Sequence, residues 1–413
     1  MGILHQLFEI PSSENITKKL GNMLISGERK GSEKLHNYLL KDLLYDKKTI
    51  FIANGMLTDK EHEDILNFLR LNKKDDVNIY DFKLNGSSNN VNILSAFENA
   101  DQKAEFIKTF LATSISSEPL LKKASSFYKY AIKALDELGE TYDLMYLSGL
   151  DVSSVVDLIN SSPLPEEEKN RYVGFLEDST MYSAYLEIAY CMEELKSCGL
   201  LKILSGNLNI MELLSSGNII MLSGMVTDVC RNKESLFNVF FYVLSKCLEK
   251  YIGESEVSLF IKDSDFISGE YIRNMLEFHE SYKCASYIFV EDITKYKEKN
   301  GNTVLEKSDS FLVFRQGSDQ NAKCWSDFFG SRDRNRTDFS FTKKKGLFSI
   351  LFSWLFSGGV VDYHRNYDST TTSVRRVNEP IYKPEIFREL KDKEVMIYFY
   401  DSDRIRRKKR TIG

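Results

Sequence analysis

The sequence lacks the residue spacings that mark a structural metal site, a disulfide framework or a nucleophilic catalytic centre. None of its six cysteines belongs to a Cys-x-x-Cys pair, and its five histidines are scattered without the spacing of zinc ligands. Most of the cysteines lie in apolar contexts, which indicates buried, reduced thiols in a cytoplasmic protein. No Ser-His-Asp, Cys-His or paired-carboxylate set can be assembled from spacing, so we set those classes of catalysis aside.

Signals for export and lipid attachment are also missing. The first residues, MGILHQLFEIPSSEN, have no basic start and too short an apolar run for a signal peptide. Gly2 does not begin a myristoylation signal, because Gln6 occupies the position that requires Ser or Thr. The net charge of −5 over 413 residues gives no global attraction to nucleic acid or anionic membrane, so any such attraction must be local.

One apolar segment complicates the picture of an ordinary folded protein. Residues 346–361, GLFSILFSWLFSGGVV, carry no charge and follow three lysines at 343–345. The segment is shorter than the roughly 20 residues that a membrane-spanning helix needs. Two interpretations stay open, a buried core helix and an interfacial or partner-facing hydrophobic helix.

Strand-like apolar runs alternate with helical patterns along most of the chain. Several of these runs lack polar alternation, as strands buried on both faces do, and they predict a mostly parallel α/β sheet. The runs are 23–26, 49–53, 77–82, 219–222, 257–261, 285–290, 310–314 and 395–400.

The middle of the chain breaks this alternation. Between about residues 118 and 216 only helical patterns occur, and the prolines at 163 and 165 followed by three glutamates predict a helix start. We therefore predict an all-α domain at 116–216, inserted between the first part (1–115) and the second part (217–413) of an α/β domain with a basic C-terminal tail.

The N-terminal α/β part contains the frame of a phosphate-binding P-loop. A short apolar strand (Met23–Ser26) runs into a glycine-bearing turn with Gly27 and Gly31, and an amphipathic helix follows. In a working G-x-x-x-x-G-K-[S/T] loop, backbone N–H groups close on phosphate, the lysine reaches the outer phosphates and the hydroxyl holds Mg²⁺.

The residues at the key positions of this loop differ from the P-loop consensus. Counted from Gly27, the second glycine is Ser32, the lysine is Glu33 and the hydroxyl residue is Lys34. One extra residue would put Lys34 in the lysine position, but Leu35 would then replace the metal ligand. Either register places a carboxylate where phosphate should lie, so the sequence predicts an impaired site.

The second half resembles the C-terminal part of the TraG/TraD family of type IV coupling proteins. The resemblance rests on the helix pattern at 309–330 with Asp319, Ala322, Ser326 and Gly330, and then on Arg375 or Arg376, Pro384-Glu385 and a last strand. It implies a RecA-like P-loop NTPase sheet with an inserted helical domain. It also implies that the chain is a component of a conjugation or secretion machine.

The chain departs from this family at several catalytic positions. In the Walker B-like strand at 257–266, Asp263 is in the Mg²⁺ position, Ser264 replaces the glutamate and Asp265 comes one residue late. The sensing glutamine is replaced near Glu291 and Asp292. The family's N-terminal membrane-spanning pair is not expected either, because the P-loop-like strand begins at Met23.

These changes predict a non-hydrolysing scaffold or substrate-recognition subunit at the cytoplasmic side of the cell membrane. Its expected partners are secretion or conjugation machinery proteins, a DNA or protein substrate, and other subunits of a homo- or hetero-oligomer. A peripheral contact with the membrane is expected as well. No cofactor is expected, and ATP with Mg²⁺ would bind only if the divergent loop works. Two alternatives stay open, an active divergent DNA- or protein-translocating ATPase and a membrane-associated interaction protein.

Basic residues cluster at the C-terminal end. Two interpretations stay open for them, a solvated tail and a contact to nucleic acid, anionic lipid or an acidic partner. The cluster consists of Arg404, Arg406, Arg407, Lys408, Lys409 and Arg410.

Two further segments are predicted to be loops. Arginines at 332, 334 and 336 alternate with Asp, Asn and Thr, a pattern that favours a loop of mixed charge, and 366–373 is predicted as a polar loop.

Overall fold

The computed structural model describes residues 3–8, 21–45, 49–84, 88–215, 217–250, 257–262, 264–277, 284–343, 367–401 and 404–412. The chain forms two compact units. The larger contains Met1–Gly317 and Leu390–Gly413, and the smaller contains Ser318–Glu389.

The larger unit begins with α1 (Ile3–Phe8), β1 (Met23–Ser26), α2 (Arg29–Tyr45), β2 (Thr49–Leu57), α3 (Asp59–Asn72), β3 (Ile79–Lys83), β4 (Val91–Asn92) and α4 (Ala100–Leu111). A helical segment follows, with α5 (Glu118–Leu138), α6 (Leu144–Ser148), α7 (Val152–Ser161), α8 (Glu166–Leu176), α9 (Ser179–Ser197), α10 (Leu200–Leu204), β5 (Leu208–Asn209) and α11 (Ile210–Ser215). The chain then forms β6 (Ile219–Met225), α12 (Cys230–Lys250), β7 (Val257–Lys262), α13 (Gly269–Glu277), β8 (Cys284–Val290), α14 (Ile293–Asn300), α15 (Thr303–Lys307) and β9 (Ser310–Val313). It ends with β12 (Glu394–Asp401) and β13 (Arg404–Thr411).

Nine strands form one sheet in the order β13-β12-β9-β1-β8-β7-β2-β6-β3. Every neighbouring pair from β9 to β3 is parallel, and β12 is antiparallel to both β9 and β13. Strands in such a sheet are covered on both faces, which explains why β1, β6 and β9 are buried throughout. The predicted fold class, a RecA-like sheet that is mostly parallel and flanked by helices, is confirmed.

Helices cover both faces of the sheet. On one face, α2 contributes Leu35, Leu39 and Leu40 to a continuous apolar core with the strands, and α3 adds residues such as Leu66. On the other face, α12 packs aromatic rings on the sheet, with Phe241 at 5.5 Å from the ring of Phe51.

The helical segment between β4 and β6 contains helices and the two-residue strand β5, which pairs with β4. Helix α5 buries one stripe of apolar residues and ends at Gly139, whose φ of 69° is in the left-handed region. Lys133 donates to Glu168 at 2.7 Å and so ties α5 to α8. That hydrogen bond lowers the pKa of the Glu168 carboxyl. The domain boundary at 116–216 stays a prediction.

The smaller unit contains α16 (Asp319–Phe329), β10 (Ser331–Lys343), β11 (Tyr367–Pro380) and α17 (Pro384–Arg388). Strands β10 and β11 form a separate antiparallel pair. The predictions of a loop around Arg332, Arg334 and Arg336 and of a polar loop at 366–373 were therefore wrong, since 331–343 and 367–380 are strands. Their charged and polar residues pair across a ribbon, where apolar alternation is not required.

The apolar segment 346–361 lies outside the described residues, so both interpretations of it stay open. Among the residues that the structure does describe, no helix is long and apolar enough to cross a membrane.

Candidate functional site

Ligand sites in open α/β sheets lie beyond the carboxyl ends of the strands, where the P-loop-like turn is found. Strand β1 ends at Ser26, and helix α2 already begins at Arg29. The turn between them therefore consists of Gly27 and Glu28 alone. Gly31, Ser32 and Lys34, three of the predicted nucleotide-binding residues, lie within the first two turns of α2.

The backbone amides of this turn are already engaged. Gly27 N–H donates to the carbonyl of Val290 at 3.2 Å, and Glu28 N–H donates to the carbonyl of Arg315 at 2.9 Å. Val290 is the last residue of β8 and Arg315 follows β9, and these two strands flank β1. A phosphate cradle needs such N–H groups free to point at the ligand. Here they hold the edge of the sheet together.

Gly27 has a geometry that only glycine fits. Its φ is 142°, and an added Cβ would lie 2.6 Å from Cβ of Phe314 and 2.9 Å from the carbonyl oxygen of Arg315. The glycine is thus explained by the close approach of β9, without any need for a phosphate.

A carboxylate of the chain itself lies beside this turn. Glu28 Oε2 is 3.6 Å from Nε of Arg315, and both side chains are partly exposed. Gly317 brings the backbone of the β9 end close to the same carboxylate, since a Cβ there would lie 3.4 Å from Glu28 Oε1. Because Glu28 directly precedes α2, its negative charge complements the positive end of the helix dipole.

A buried glutamine follows β9 at the same edge. Gln316 is 1 % exposed, and its amide nitrogen donates to the carbonyl of Phe314 at 2.8 Å. A longer contact of 3.4 Å reaches the carbonyl of Ser26, the last residue of β1. Its Oε1 accepts no hydrogen bond from the part of the chain that the structure describes. Sequence reasoning missed this residue, because nothing in the letters marks it as buried.

The Walker B-like residues follow β7. Asp263 lies outside the described residues, whereas Asp265 lies in a short 3-10 turn (Ser264–Phe266). The Ser264 hydroxyl is buried and has no hydrogen-bond partner among the residues described. Strand β8 separates β7 from β1, so the two candidate motifs lie about 10 Å apart across the sheet.

The residues after β8 have structural roles. Asp292 caps helix α14 by accepting from the backbone N–H groups of Thr294 at 3.1 Å and Lys295 at 3.0 Å. Glu291 precedes it and is exposed. A helix cap accounts for Asp292 at the position where the family resemblance implies a sensing glutamine.

The structure assembles one Ser-Asp-His set that spacing did not reveal. Ser223 Oγ donates to Asp81 Oδ1 at 2.8 Å, and His62 Nε2 is 2.8 Å from Asp81 Oδ2. In a nucleophilic triad the histidine lies between the serine and the aspartate, so that it can take the serine proton. Here the aspartate lies between the other two, which makes this set a polar link between α3, β3 and β6.

One buried lysine was also missed. Lys233 on α12 is 3 % exposed, and its Nζ lies 3.1 Å from the carbonyl of Met225 and 4.8 Å from the ring centre of Phe266. No described carboxylate forms an ion pair with it. A carbonyl and an aromatic face stabilise the ammonium only in part. The sequence around Lys233 does not indicate that this lysine is buried, apart from the apolar residues that follow it on α12.

The basic cluster forms the edge strand β13, so its interpretation as a tail after the last strand was wrong. Arg404, Arg406, Arg407, Lys408, Lys409 and Arg410 all belong to this strand. Two of them are partly engaged within the sheet, because Arg407 lies 5.5 Å from the ring centre of Tyr398 and Lys409 is 2.9 Å from Glu394. The Lys391 backbone N–H and the Lys409 amine lower the pKa of Glu394. Contact of the cluster with nucleic acid or an anionic surface stays a prediction.

The described residues contain no group of His, Cys, Asp and Glu side chains suited to hold a metal ion. Two cavities lie away from the β1 turn. One of about 200 Å³ is lined by residues of α2 and α3 with Lys262, and one of about 780 Å³ is lined by residues of α12 and α13 with Phe266.

Comparison with solved structures identifies proteins that share this fold. No family model and no curated protein matches the sequence. Among solved structures, the unbound bacterial conjugative coupling protein TrwBdeltaN70 matches with a TM-score of 0.56 at 12% identity, covering 94% of this chain and 83% of that one. The plasmid coupling protein TrwB in complex with ADP and Mg²⁺ matches with a TM-score of 0.56 at 11% identity, covering 94% and 84%. The chain therefore has the fold of a type IV conjugative coupling protein.

Proposed function

We propose that this chain is a non-hydrolysing, coupling-protein-like component of a conjugation or secretion machine. The fold of TrwB covers 94% of the chain, which supports a place in such a machine. The observation that carries the loss of hydrolysis is the use of both amides of the β1–α2 turn. Gly27 N–H donates to the carbonyl of Val290, at the end of β8, and Glu28 N–H donates to the carbonyl of Arg315, after β9.

Electrostatics support the same proposal. The carboxylate of Glu28 lies at the N-terminal end of α2, where the terminal phosphates would need a positive environment. Arg315 partly neutralises it at 3.6 Å, which leaves that guanidinium less free to bind an anion. A nucleotide would thus have to displace two backbone hydrogen bonds and approach a carboxylate. Each buried hydrogen bond that is broken without replacement costs about 1–3 kcal/mol.

In this proposal the sheet serves as the assembly scaffold, and the helical segment at 118–215 supplies a recognition surface for a protein or DNA substrate. The expected partners are other subunits of the machine, at the cytoplasmic side of the cell membrane.

Nucleotide binding by the purified protein tests the catalytic part of the proposal. We expect no thermal shift and no calorimetric heat with ATP or ADP, with or without Mg²⁺. The variant Glu28→Gln should behave in the same way, because it removes the charge but leaves both amides engaged. ATP hydrolysis that is lost in Lys34→Ala and Asp263→Ala would instead establish the alternative, an active divergent ATPase.

Assembly is tested separately. Size-exclusion chromatography with light scattering should give the same mass with and without ATP, because a scaffold of this kind needs no nucleotide to associate. A mass that changes only when ATP and Mg²⁺ are added would show nucleotide binding and so contradict assembly independent of nucleotide.

A further inference from the structure

Helix α9 (Ser179–Ser197) has two apolar sides, and only one of them is buried. Phe127 of α5 packs against this helix, with its ring 5.6 Å from that of Tyr185. Lys123 Nζ donates to the carbonyl of Thr180 at 3.0 Å. The contacts of the buried side therefore anchor α9 in the helical segment. That side consists of Met181, Ala184, Ile188, Cys191, Met192 and Leu195.

The opposite side of α9 exposes a row of three large side chains. Tyr182 is 62% exposed, Leu186 is 53% exposed and Tyr190 is 67% exposed. Residues four apart are neighbours on a helix surface, so the three form one continuous row, which we call the α9 ridge. The ridge exposes an apolar patch on the order of 300 Å², and contiguous patches of this size are often interaction sites.

Glutamates surround one end of the α9 ridge. Glu187 lies three residues before Tyr190, and Glu193 and Glu194 lie three and four residues after it, so all three are its neighbours on the helix surface. Lys196 Nζ is 3.3 Å from a carboxylate oxygen of Glu193. Among the residues that the structure describes, Glu187 and Glu194 have no ion-pair partner. The ridge is therefore bordered by uncompensated negative charge.

The helical segment as a whole has the same sign of charge. Residues 118–215 include 16 acidic and 8 basic side chains, a net charge of −8, whereas the full chain has a net charge of −5. Nucleic acids bind proteins through basic side chains that neutralise phosphates. Of the two substrate classes in the proposed function, a protein suits this surface and DNA does not.

A second copy of the chain is disfavoured as the partner by the same charges. In a two-fold contact, residue i of one copy meets residue j of the other, and j meets i. An antiparallel pair of α9 helices centred on Leu186 would place Glu194 of each helix opposite Asp178 of the other, and both residues are acidic. A helix that carries basic residues beside an apolar stripe would instead complement both the ridge and its glutamates.

We infer that the α9 ridge is a docking surface for a basic amphipathic helix of a partner protein. The inference rests on the proposed function only in treating the helical segment as a recognition surface, and it is independent of the proposed lack of hydrolysis.

Fluorescence anisotropy of two labelled peptides with the full chain tests this inference. Both peptides are amphipathic helices of about 18 residues with leucines repeated every three or four positions. One has lysines beside the leucines, and the other has glutamates there. We expect the chain to bind the lysine peptide, more weakly as salt is added, and not the glutamate peptide. Equal binding of the two peptides, or no binding of the lysine peptide, would overturn the inference.

Variants of α9 locate the binding surface. The triple variant Tyr182→Gln, Leu186→Gln, Tyr190→Gln should weaken binding by more than about tenfold, because apolar anchors dominate such contacts. Tyr190→Gln alone should weaken it about fivefold, which covers the case in which the triple variant fails to fold. The double variant Glu187→Gln, Glu194→Gln should weaken it about threefold and reduce its dependence on salt. Circular dichroism checks the fold of each variant.

Leu71, Asp75 and Asp76 provide a matched control, because they combine one leucine that is 84% exposed with two exposed acids outside the helical segment. The variant Leu71→Gln, Asp75→Asn, Asp76→Asn should bind the lysine peptide like the wild type. Equal losses in this control and in the ridge variants would overturn the inference. Duplex DNA binding that requires the ridge would also overturn it, as would self-association, measured by light scattering, that the ridge variant abolishes. The titrations contain no nucleotide, so their outcome is separate from that of the ATP-binding experiment.

Discussion

The substitution Gly27→Ala tests whether the β1–α2 turn is a closed structural element or an open loop. In the structure, the added methyl group would lie 2.6 Å from Cβ of Phe314 and 2.9 Å from the carbonyl oxygen of Arg315. Neither neighbour is the free end of a flexible side chain, so the backbone after β9 must move. An open phosphate-binding loop would accommodate the methyl group in solvent.

The magnitude follows from two contributions. An alanine at a φ of 142° adopts a conformation that L-residues rarely occupy, at a cost of roughly 1–3 kcal/mol. The overlap with the end of β9 adds about 1–3 kcal/mol, as overpacking does. A smaller unfolded-state benefit of about 0.4–1 kcal/mol opposes both. We expect a net loss of about 1–6 kcal/mol in the free energy of unfolding.

Gly139→Ala is the matched control. Gly139 has a φ of 69° at the end of α5, and an added Cβ there would meet nothing within 4 Å. It therefore incurs the backbone cost, about 1–2 kcal/mol for the left-handed region, without the steric one. Gly27→Ala should be the more destabilising of the two by about 1–3 kcal/mol.

Hydrogen exchange measured by mass spectrometry suits a chain with two units, because it reports local stability without a two-state assumption. Gly27→Ala should speed exchange in peptides from β1, β8 and β9, and Gly139→Ala only in peptides near the end of α5. If the two variants destabilise equally, or if exchange at β9 is unchanged in Gly27→Ala, the turn is not closed in the way described.

Three further predictions concern buried and paired charges. Lys233→Met removes a buried ammonium that lacks an ion-pair partner among the described residues. The urea midpoint of unfolding should therefore stay the same or rise, and a clear fall would contradict this reasoning. Ser223→Ala leaves Asp81 without its hydroxyl donor and should lower the free energy of unfolding in urea by about 1–3 kcal/mol. A negligible loss would show that the Ser223–Asp81 hydrogen bond contributes little to stability. The lowered pKa of Glu394 gives stability that is present above its unfolded pKa and is lost as pH falls through its folded pKa. Glu394→Gln should therefore reduce the fall in melting temperature on acidification below about pH 4, and identical melting-temperature profiles would refute the assignment.

The sequence predicted those strands and helices whose hydrophobic pattern matches their burial in the folded chain. The eight strands it predicted are all present. Those whose runs lack polar alternation, such as β1 and β9, are buried throughout, as strands covered on both faces are. The start of α8 at Glu166 also follows from its letters, since proline and acidic residues favour the first turn of a helix. Boundaries were less predictable. The run at 49–53, for example, gives the start of β2, but the strand extends to Leu57.

The long strands that sequence analysis missed are the charged ones, and it also missed the two-residue strands β4 and β5. β10, β11 and β13 contain alternating or continuous basic and hydroxyl residues, a composition typical of loops and tails. Each lies in a two-stranded ribbon or at the edge of the sheet, where a strand need not bury both faces. Basic side chains on an edge strand also hinder unwanted pairing with other chains, which fits the composition of β13.

The candidate site could be predicted only in part, because its decisive features are contacts between distant segments. Gly27 and Glu33 showed that the loop was altered, but its letters could not show that the amides of the turn donate to carbonyls near residues 290 and 315. Those bonds depend on β8 and β9 flanking β1, an order that no local pattern encodes. The same dependence explains Gln316. Its amide is buried because the end of β9 closes over the end of β1. The hydrogen bonds of Gly27 and Glu28 therefore hold the ends of β1, β8 and β9 together, a role that is visible only in the folded chain.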